Sequence, residues 1–307
     1  MAAKQIISVV IPVYRDGARA VAAAQALLGQ RLPDGMARQV VIVDDGSDDD
    51  TAALLSTVID ADLEVLRLGS NQGRSAARNA GAHQTHGEII VFMDCDCLPV
   101  NETFLLSHID ALGDDNVAST GHVTGPALGF WDYYLHEASA RREYQHRQGF
   151  SSSGSSGNLA VRKAAFQQVG GFDTQYRHYG FEDRDLLLRL AEVGGIAWAH
   201  GNGVCHLDEL TLEAISAKMI EAGEYTSGMF LERHPDAYRT LGYAAIDVRH
   251  RRLLRPLAAA IGPLLPALTR SMEPMLHYKW VPYAVSKAAV KIISAASFFY
   301  GTSRRKA

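Results

Sequence analysis

Apolar and polar positions fall in alternating blocks along the first third of the chain. Residues 6–14 (IISVVIPVY) form a continuous apolar run that contains Pro12, and the alanine-rich segment 18–28 follows with helical character. Residues 40–43 are a second apolar run, ending in Asp44-Asp45-Gly46-Ser47. Segment 51–59 reads as a helix, with Asp48, Asp49 and Asp50 at its start, where acids suit the helix dipole. Residues 63–68 read as a third strand and 74–86 as a third helix, and 89–93 (IIVFM) is a further apolar run. Continuous apolar runs of this length, bounded by polar residues, are strands buried on both faces. Strand alternating with helix is the pattern of an α/β fold with a mostly parallel sheet flanked by helices.

Past residue 96 the alternation weakens. Segments 102–112, 131–147, 163–169, 182–193 and 212–230 read as helices, and 117–123 and 196–199 as strands. Asp185 and Arg189, spaced i, i+4, suit a surface ion pair. The run Ser151-Ser152-Ser153-Gly154-Ser155-Ser156-Gly157 is flexible by composition, as an inert linker or as a mobile lid over a site. Gly201-Asn202-Gly203 separates the last strand from Val204-Cys205-His206. No internal repeat is present.

Composition narrows the class. The chain has 307 residues, 47% hydrophobic and 21% charged, enough for one large domain with an appendage or for two domains. A net charge of −4 gives no sign of a nucleic-acid binder. Three cysteines, two of them in Cys95-x-Cys97, argue against a disulfide framework and for a reducing compartment. Met1-Ala2-Ala3-Lys4-Gln5 leads into the first strand without the form of a signal peptide, and no apolar run has transmembrane length. The expected location is the cytoplasm.

The candidate chemistry sits at strand ends. In a parallel sheet Asp44-Asp45 and Asp94-x-Asp96 lie on one edge and can share a ligand, at the carboxyl ends where open α/β sheets bind. If the chain stays extended past Met93, alternation puts Asp94 and Asp96 on one side and Cys95 and Cys97 on the other. Two neighbouring carboxylates favour a hard cation such as Mg2+ or Mn2+. A zinc site from the two cysteines and His206 is the weaker rival, because C-x-C is not the usual close spacing. The small residues at Gly46, Ser47, Gly69, Ser70, Asn71 and Gly73 let a ligand approach the backbone, and Arg74 and Arg78 can face phosphate. Neither a phosphate-binding G-x-x-x-x-G-K nor a dinucleotide G-x-G-x-x-G follows the first strand.

An ordered series of short motifs adds a resemblance. Ile11-Pro12-Val13-Tyr14, Val43-Asp44-Asp45-Gly46-Ser47 with Asp49 and Thr51, Asn71-x-Gly73, Ala77-Arg78-Asn79-x-Gly81, Gly87-Glu88, Asp94-x-Asp96, Gly157-Asn158, Gly170-Gly171-Phe172-Asp173 and Glu182-Asp183 occur in that order. Over residues 6–206 the chain resembles the family 2 glycosyltransferases, which have the GT-A fold, a Rossmann-like, mostly parallel sheet flanked by helices. From Gly157 to Asp183 it is similar to the galactosyl- and N-acetylgalactosaminyl-transferring members. The resemblance implies that Pro12, Tyr14, Asp45, Asn71 and Arg78 hold the nucleotide part of a UDP-sugar, with Asp44 supporting the loop. It implies that Asp94 faces the ribose and the metal, that Asp96 and His206 bind Mn2+ or Mg2+, and that Asp183 is the general base with Glu182 beside it. The implied reaction is inverting transfer of a hexose or N-acetylhexosamine to a hydroxyl of a surface-glycan or lipid-linked acceptor. The alternatives are a nucleotidyltransferase on a similar sheet and a sugar-binding relative without activity.

The implied organisation is a catalytic domain over 1–237, with a nucleotide-sugar half (1–97) and an acceptor half (98–237), and a helical C-terminal extension over 238–307. Within the extension, 257–268 is apolar but broken by Gly262, Pro263 and Pro266, a poor membrane span. On a helix over 284–300, Val285, Ala289, Ile292, Ala296 and Phe299 share a face, and Arg304-Arg305-Lys306 follow. That face suits either an anionic membrane surface, making the chain peripheral on the inner membrane, or packing on the catalytic domain or on a second subunit in a homodimer.

Overall fold

A computed structural model describes residues 5–126 and 129–304, with only the main chain of Asn202. Arg305 and Lys306, the expected basic end of the chain, lie outside the described residues. The chain forms two compact units.

The first unit takes the described residues of 1–126, 135–177 and 182–208. It holds β1 (Gln5–Val13), α1 (Gly17–Leu28), β2 (Met36–Asp44), α2 (Thr51–Leu55), β3 (Leu63–Arg67), α3 (Arg74–Gln84) and β4 (Ile89–Phe92). There follow β5 (Cys97–Pro99), α4 (Phe104–Leu112), β6 (Asn116–Thr124), most of α5 (Phe130–Arg147), β7 (Leu159–Arg162), α6 (Lys163–Gln168), α7 (Glu182–Ala191) and β8 (Gly195–His206). The eight strands make one sheet in the order β3-β2-β1-β4-β7-β6-β8-β5. β3, β2, β1 and β4 run parallel, β7 is antiparallel to both its neighbours, β6 and β8 are parallel, and β5 is antiparallel to β8.

The sheet is buried on both faces, as its unbroken apolar runs require. Ile7, Val9 and Ile11 of β1 pack with Ala20, Ala23, Ala24 and Leu27 of α1 and Phe104 and Leu105 of α4. Val10, Val41 and Val43 turn to the other side, against Ala77 of α3 and Leu186, Leu187 and Leu190 of α7. Strand order reverses at β1, which has β2 on one side and β4 on the other, so their carboxyl ends border the crevice where such sheets bind ligands.

Several local expectations change. The helix expected over 51–59 stops at Leu55, and Ser56 and Thr57 turn their hydroxyls back onto the carbonyls of Ala53 and Leu54. The Ser/Gly run is neither a free linker nor a detached flap. It opens with a 3-10 turn at Ser151–Ser153, its Ser152, Ser153 and Ser156 are buried, and a Cβ on Gly154 would sit 2.7 Å from Thr120 Oγ1. Small side chains serve here because the chain fills a narrow space beside β6 and α7. The Asp185–Arg189 pair forms at 2.6 Å, yet Asp185 is buried rather than on the surface. Gly201-Asn202-Gly203 does not end the last strand. β8 continues through it with a bulge between the pairs Gly121–Ala199 and His122–Gly203.

The second unit takes the described residues of 127–134, 178–181 and 209–307, so the division expected after residue 237 falls inside it. It contains α8 (Leu212–Glu221), a π turn (Ala222–Thr226), α9 (Ser227–Arg233), α10 (Pro235–Thr240), α11 (Arg255–Ile261), α12 (Leu265–Met272) and α13 (Tyr283–Arg304). α13 buries Ser286, Ala289, Val290, Ile293, Ser297 and Phe298. Ser297 shares a 2.7 Å hydrogen bond with Ser216 of α8, and Val290 and Ile293 pack with Leu212, Leu276 and Phe130. Of the face expected on this helix, Ala289 is buried in the unit while Val285 and Ile292 remain exposed. Among the described residues no helix is long and apolar enough to cross a membrane.

Candidate active site

The site is built on the loops leaving β1, β2 and β4. Pro12 and Val13 of β1 lie opposite Val43 and Asp44 of β2, so Tyr14 and Asp45 emerge side by side. Asp45 N–H closes the pair by donating to Val13 O at 2.8 Å. Tyr14 is exposed, with the Arg15 guanidinium 5.0 Å from its ring centre. Asp44 is buried: its Oδ1 accepts from Ser47 N–H at 2.9 Å, and Arg67 Nε stands 3.4 Å from its Oδ2. Both oxygens of Asp45 accept backbone N–H groups, from Gln72 at 2.8 Å and Gly73 at 2.9 Å. Asp45 thereby ties the β2 loop to the start of α3, beside the exposed Asn71. Gly46 (φ +73°) permits that contact, because a Cβ there would lie 2.6 Å from the Ser70 backbone.

A buried charge group stands next to it. Arg78 of α3 is 1% exposed, and its Nη2 donates to Asp94 Oδ1 at 2.5 Å. Its Nη1 lies 3.8 Å from Glu182 Oε1, and the guanidinium carbon is 5.2 Å from the Phe172 ring centre. Arg74, one helical turn earlier, stands 3.7 Å from the same Glu182 oxygen. Burial works against the Asp94 charge, but Arg78 and Arg74 outweigh it and hold the carboxyl below its ordinary range. Glu182 goes the other way: burial, then the negative Asp183, push it up against the pull of Arg74 and Arg78. Glu182 and Asp183 open α7, and Asp183 Oδ1 accepts from Arg184 N–H at 2.8 Å.

The chain does not stay extended past Met93. Cys97 N–H donates to Asp94 O at 3.1 Å, forming a turn centred on Cys95 and Asp96. The turn separates the two acids. Asp94 meets Arg78, while Asp96 is carried to the end of β8, where the antiparallel pairing sets Cys97 opposite His206. His206 Nε2 lies 3.3 Å from Asp96 Oδ2, and Leu207 N–H donates to Asp96 O at 2.7 Å. Asp208 completes a trio with Asp96 and His206 whose ligand atoms lie within 4.8 Å of one another. Arg19 of α1 pairs with Asp208 at 2.5 Å. Asp208 and Arg19 were not among the expected residues, although the spacing His206-x-Asp208 at a strand end pointed to the first of them. Neither Cys95 nor Cys97 belongs to the trio, so among the described residues the two cysteines and His206 are not grouped as the zinc reading required.

This trio suits a divalent cation. Two carboxylates and an imidazole form a donor set for Mn2+ or Mg2+. Burial, then the negative Asp94, push the Asp96 carboxyl up, so positive charge at this position relieves a strained anion. His206 Nδ1 is buried without a hydrogen-bond partner.

Residues 8–170 match the family model described as glycosyl transferase family 2. The glycosyltransferase AglE of Haloferax volcanii is 30% identical over 214 residues, 65% of this chain and 66% of that one. Polypeptide N-acetylgalactosaminyltransferase 12 of Mus musculus is 24% identical over 220 residues, 63% of this chain and 38% of that one, so the chain spans only part of each relative. The mannosyltransferase PcManGT from Pyrobaculum calidifontis, solved in complex with GDP-Man and Mn2+, superposes with a TM-score of 0.61 at 20% identity, over 96% of this chain and 86% of that one. The mixed sheet is thus a GT-A fold, and the chain belongs to glycosyl transferase family 2.

Proposed function

We propose that the chain moves a hexose or N-acetylhexosamine from a UDP-sugar to a hydroxyl of a surface-glycan or lipid-linked acceptor, with a divalent cation and with inversion at the anomeric carbon. The observation that carries this reading is the 3.3 Å approach of His206 to Asp96, beside the Arg78–Asp94 pair. Tyr14 and Pro12 border the nucleobase, and the Asp45 tie keeps the Asn71–Gly73 loop in place for the ribose. Asp96, His206 and Asp208 would hold Mn2+ or Mg2+, which would supply the positive charge that a departing nucleoside diphosphate needs. Asp94, kept ionised by Arg78, faces the donor. Glu182 is fixed against Arg74 and Arg78, which sets the start of α7 and so the position of Asp183. Asp183 takes the proton of the acceptor hydroxyl, turning a poor nucleophile into an effective one. Attack opposite the leaving group inverts the centre with one carboxylate base and no covalent intermediate.

Incubating the chain with a panel of nucleotide sugars and Mn2+ tests this. Release of UDP from a UDP-hexose or UDP-N-acetylhexosamine is the expected result. Pyrophosphate release from UTP and a hexose 1-phosphate, with no UDP released from the nucleotide sugars, would instead identify a nucleotidyltransferase.

A further inference from the structure

Residues 248–272 contain no Asp or Glu and five Arg. Arg249 is spent internally, paired at 2.5 Å with the buried Asp247. Arg251, Arg252, Arg255 and Arg270 are exposed, and none forms an ion pair among the described residues. The segment is helical almost throughout: a 3-10 turn at Arg252–Leu254, α11, another at Gly262–Leu264, and α12. One side faces the unit, with Ala258, Gly262, Leu265 and Thr269 buried and Gly262 against the Tyr300 ring.

The other side is apolar and faces outward. Leu253, Leu257, Leu264 and Leu268 are 95%, 53%, 56% and 40% exposed. Leu253 and Leu257, and again Leu264 and Leu268, are four residues apart, so each pair shares a side and together they form an exposed apolar ridge. Helices in globular proteins turn such a stripe inward; here the inward stripe is already filled by the opposite side. The three prolines and the arginines keep the segment from spanning a bilayer. The same unit exposes Trp280, stacked on Tyr278 at 5.7 Å with Lys279 between them in sequence, a pairing suited to a membrane–water boundary.

We propose that this ridge, rather than α13, seats the chain on an anionic lipid surface. The leucines enter the headgroup–acyl boundary and the four arginines meet lipid phosphates. Charge complementarity selects this occupant. A diffuse anionic plane over hydrocarbon satisfies an apolar ridge and an acid-free cationic segment together, whereas a protein partner would have to set an acid against each arginine. The proposal does not depend on the transfer chemistry, and its test reads no turnover.

The test is flotation of the full chain with vesicles of phosphatidylcholine alone or mixed with phosphatidylglycerol. The chain should rise with the anionic vesicles, stay down with the neutral ones, and release as salt is raised. Leu257→Gln/Leu264→Gln should lower the bound fraction about tenfold, and Arg252→Glu/Arg255→Glu should do the same. Val285→Gln/Ile292→Gln, on the exposed side of α13, should leave it unchanged. Circular dichroism confirms that each variant is folded. Failure of the parent chain to float with anionic vesicles overturns the proposal, as does equal flotation of either the leucine or the arginine variant. Loss of flotation in the α13 variant would move the contact there. Dimerisation in lipid-free solution that the leucine variant abolishes would assign the ridge to a second copy of the chain.

Discussion

His206 Nε2 lies 3.3 Å from Asp96 Oδ2, held there by the register of β5 on β8. Since backbone pairing sets this approach, the side chains can be changed without moving the strands. His206→Ala and Asp96→Asn should each weaken Mn2+ binding by at least about tenfold, and Asp208→Asn should too. Calorimetric titration with MnCl2 measures this without any sugar present. Unchanged Mn2+ affinity in all three variants would remove the cation from this position.

Arg78 bridges Asp94, whose side chain is 31% exposed, and the buried Glu182, which Arg74 also approaches. Arg78→Met keeps much of the volume and deletes the charge, leaving the buried Glu182 to Arg74 and taking from Asp94 its 2.5 Å partner. The expected loss of stability is ~2 kcal/mol, below the usual cost of breaking a fully buried pair because Asp94 is partly exposed and Arg74 remains. Urea denaturation at pH 7 reads it directly. Arg78→Met/Asp94→Asn should recover part of the loss, because the stranded anion is then gone.

Much of this arrangement was legible in the chain. Apolar runs 6–14, 40–43 and 89–93 became β1, β2 and β4 because only a strand buried on both faces uses so many apolar residues in succession. Asp96 and His206, expected together, are in contact. What periodicity could not supply was the turn at Cys95 and Asp96, set by the pairing of β5 with a strand from the far end of the unit. The Ser/Gly run misled for a related reason: small residues signal flexibility by composition, yet they also fill narrow spaces, and only tertiary contact distinguishes the two. The apolar face of α13 was one residue away from the one that is buried, since Val285 and Ser286, or Ile292 and Ile293, are equivalent until the neighbouring helix is known.

Asp183 carries the proposed proton transfer, and the amide replacement separates that role from helix capping. Asp183→Asn keeps the oxygen that accepts from Arg184 N–H at 2.8 Å, so α7 should fold as before. Turnover should fall by about 10²–10⁴-fold, the usual contribution of a positioned base, while UDP affinity stays within about twofold. Steady-state rates paired with UDP titration check both halves. A variant that loses UDP binding and turnover together would make Asp183 a donor-binding residue.

His108 predicts an acid limit on stability. It is fully buried, between Ser119 Oγ at 2.8 Å from Nδ1 and Asn158 Oδ1 at 2.7 Å from Nε2. Asn158 Nδ2 donates to His122 O at 2.7 Å, which turns the amide oxygen toward His108 and places the proton on Nε2. Burial lowers the His108 pKa from 6.5 to about 4, partly offset by the Asn158 hydrogen bond. A folded-state value below the unfolded one means that the unfolded chain takes up the proton first as pH falls. The contribution is therefore complete above pH 6.5 and is lost progressively toward pH 4, a total of ~3 kcal/mol. Carboxylates titrate over part of the same range, so the informative quantity is the difference between the parent chain and His108→Gln. At pH 7 the variant should be the less stable, since glutamine cannot reproduce both hydrogen bonds. Between pH 6.5 and 4.5 the parent should lose stability faster than the variant, and the gap should narrow or reverse. Urea denaturation in half-unit pH steps measures both curves; parallel curves would mean that His108 titrates normally and that its enclosure opens to water.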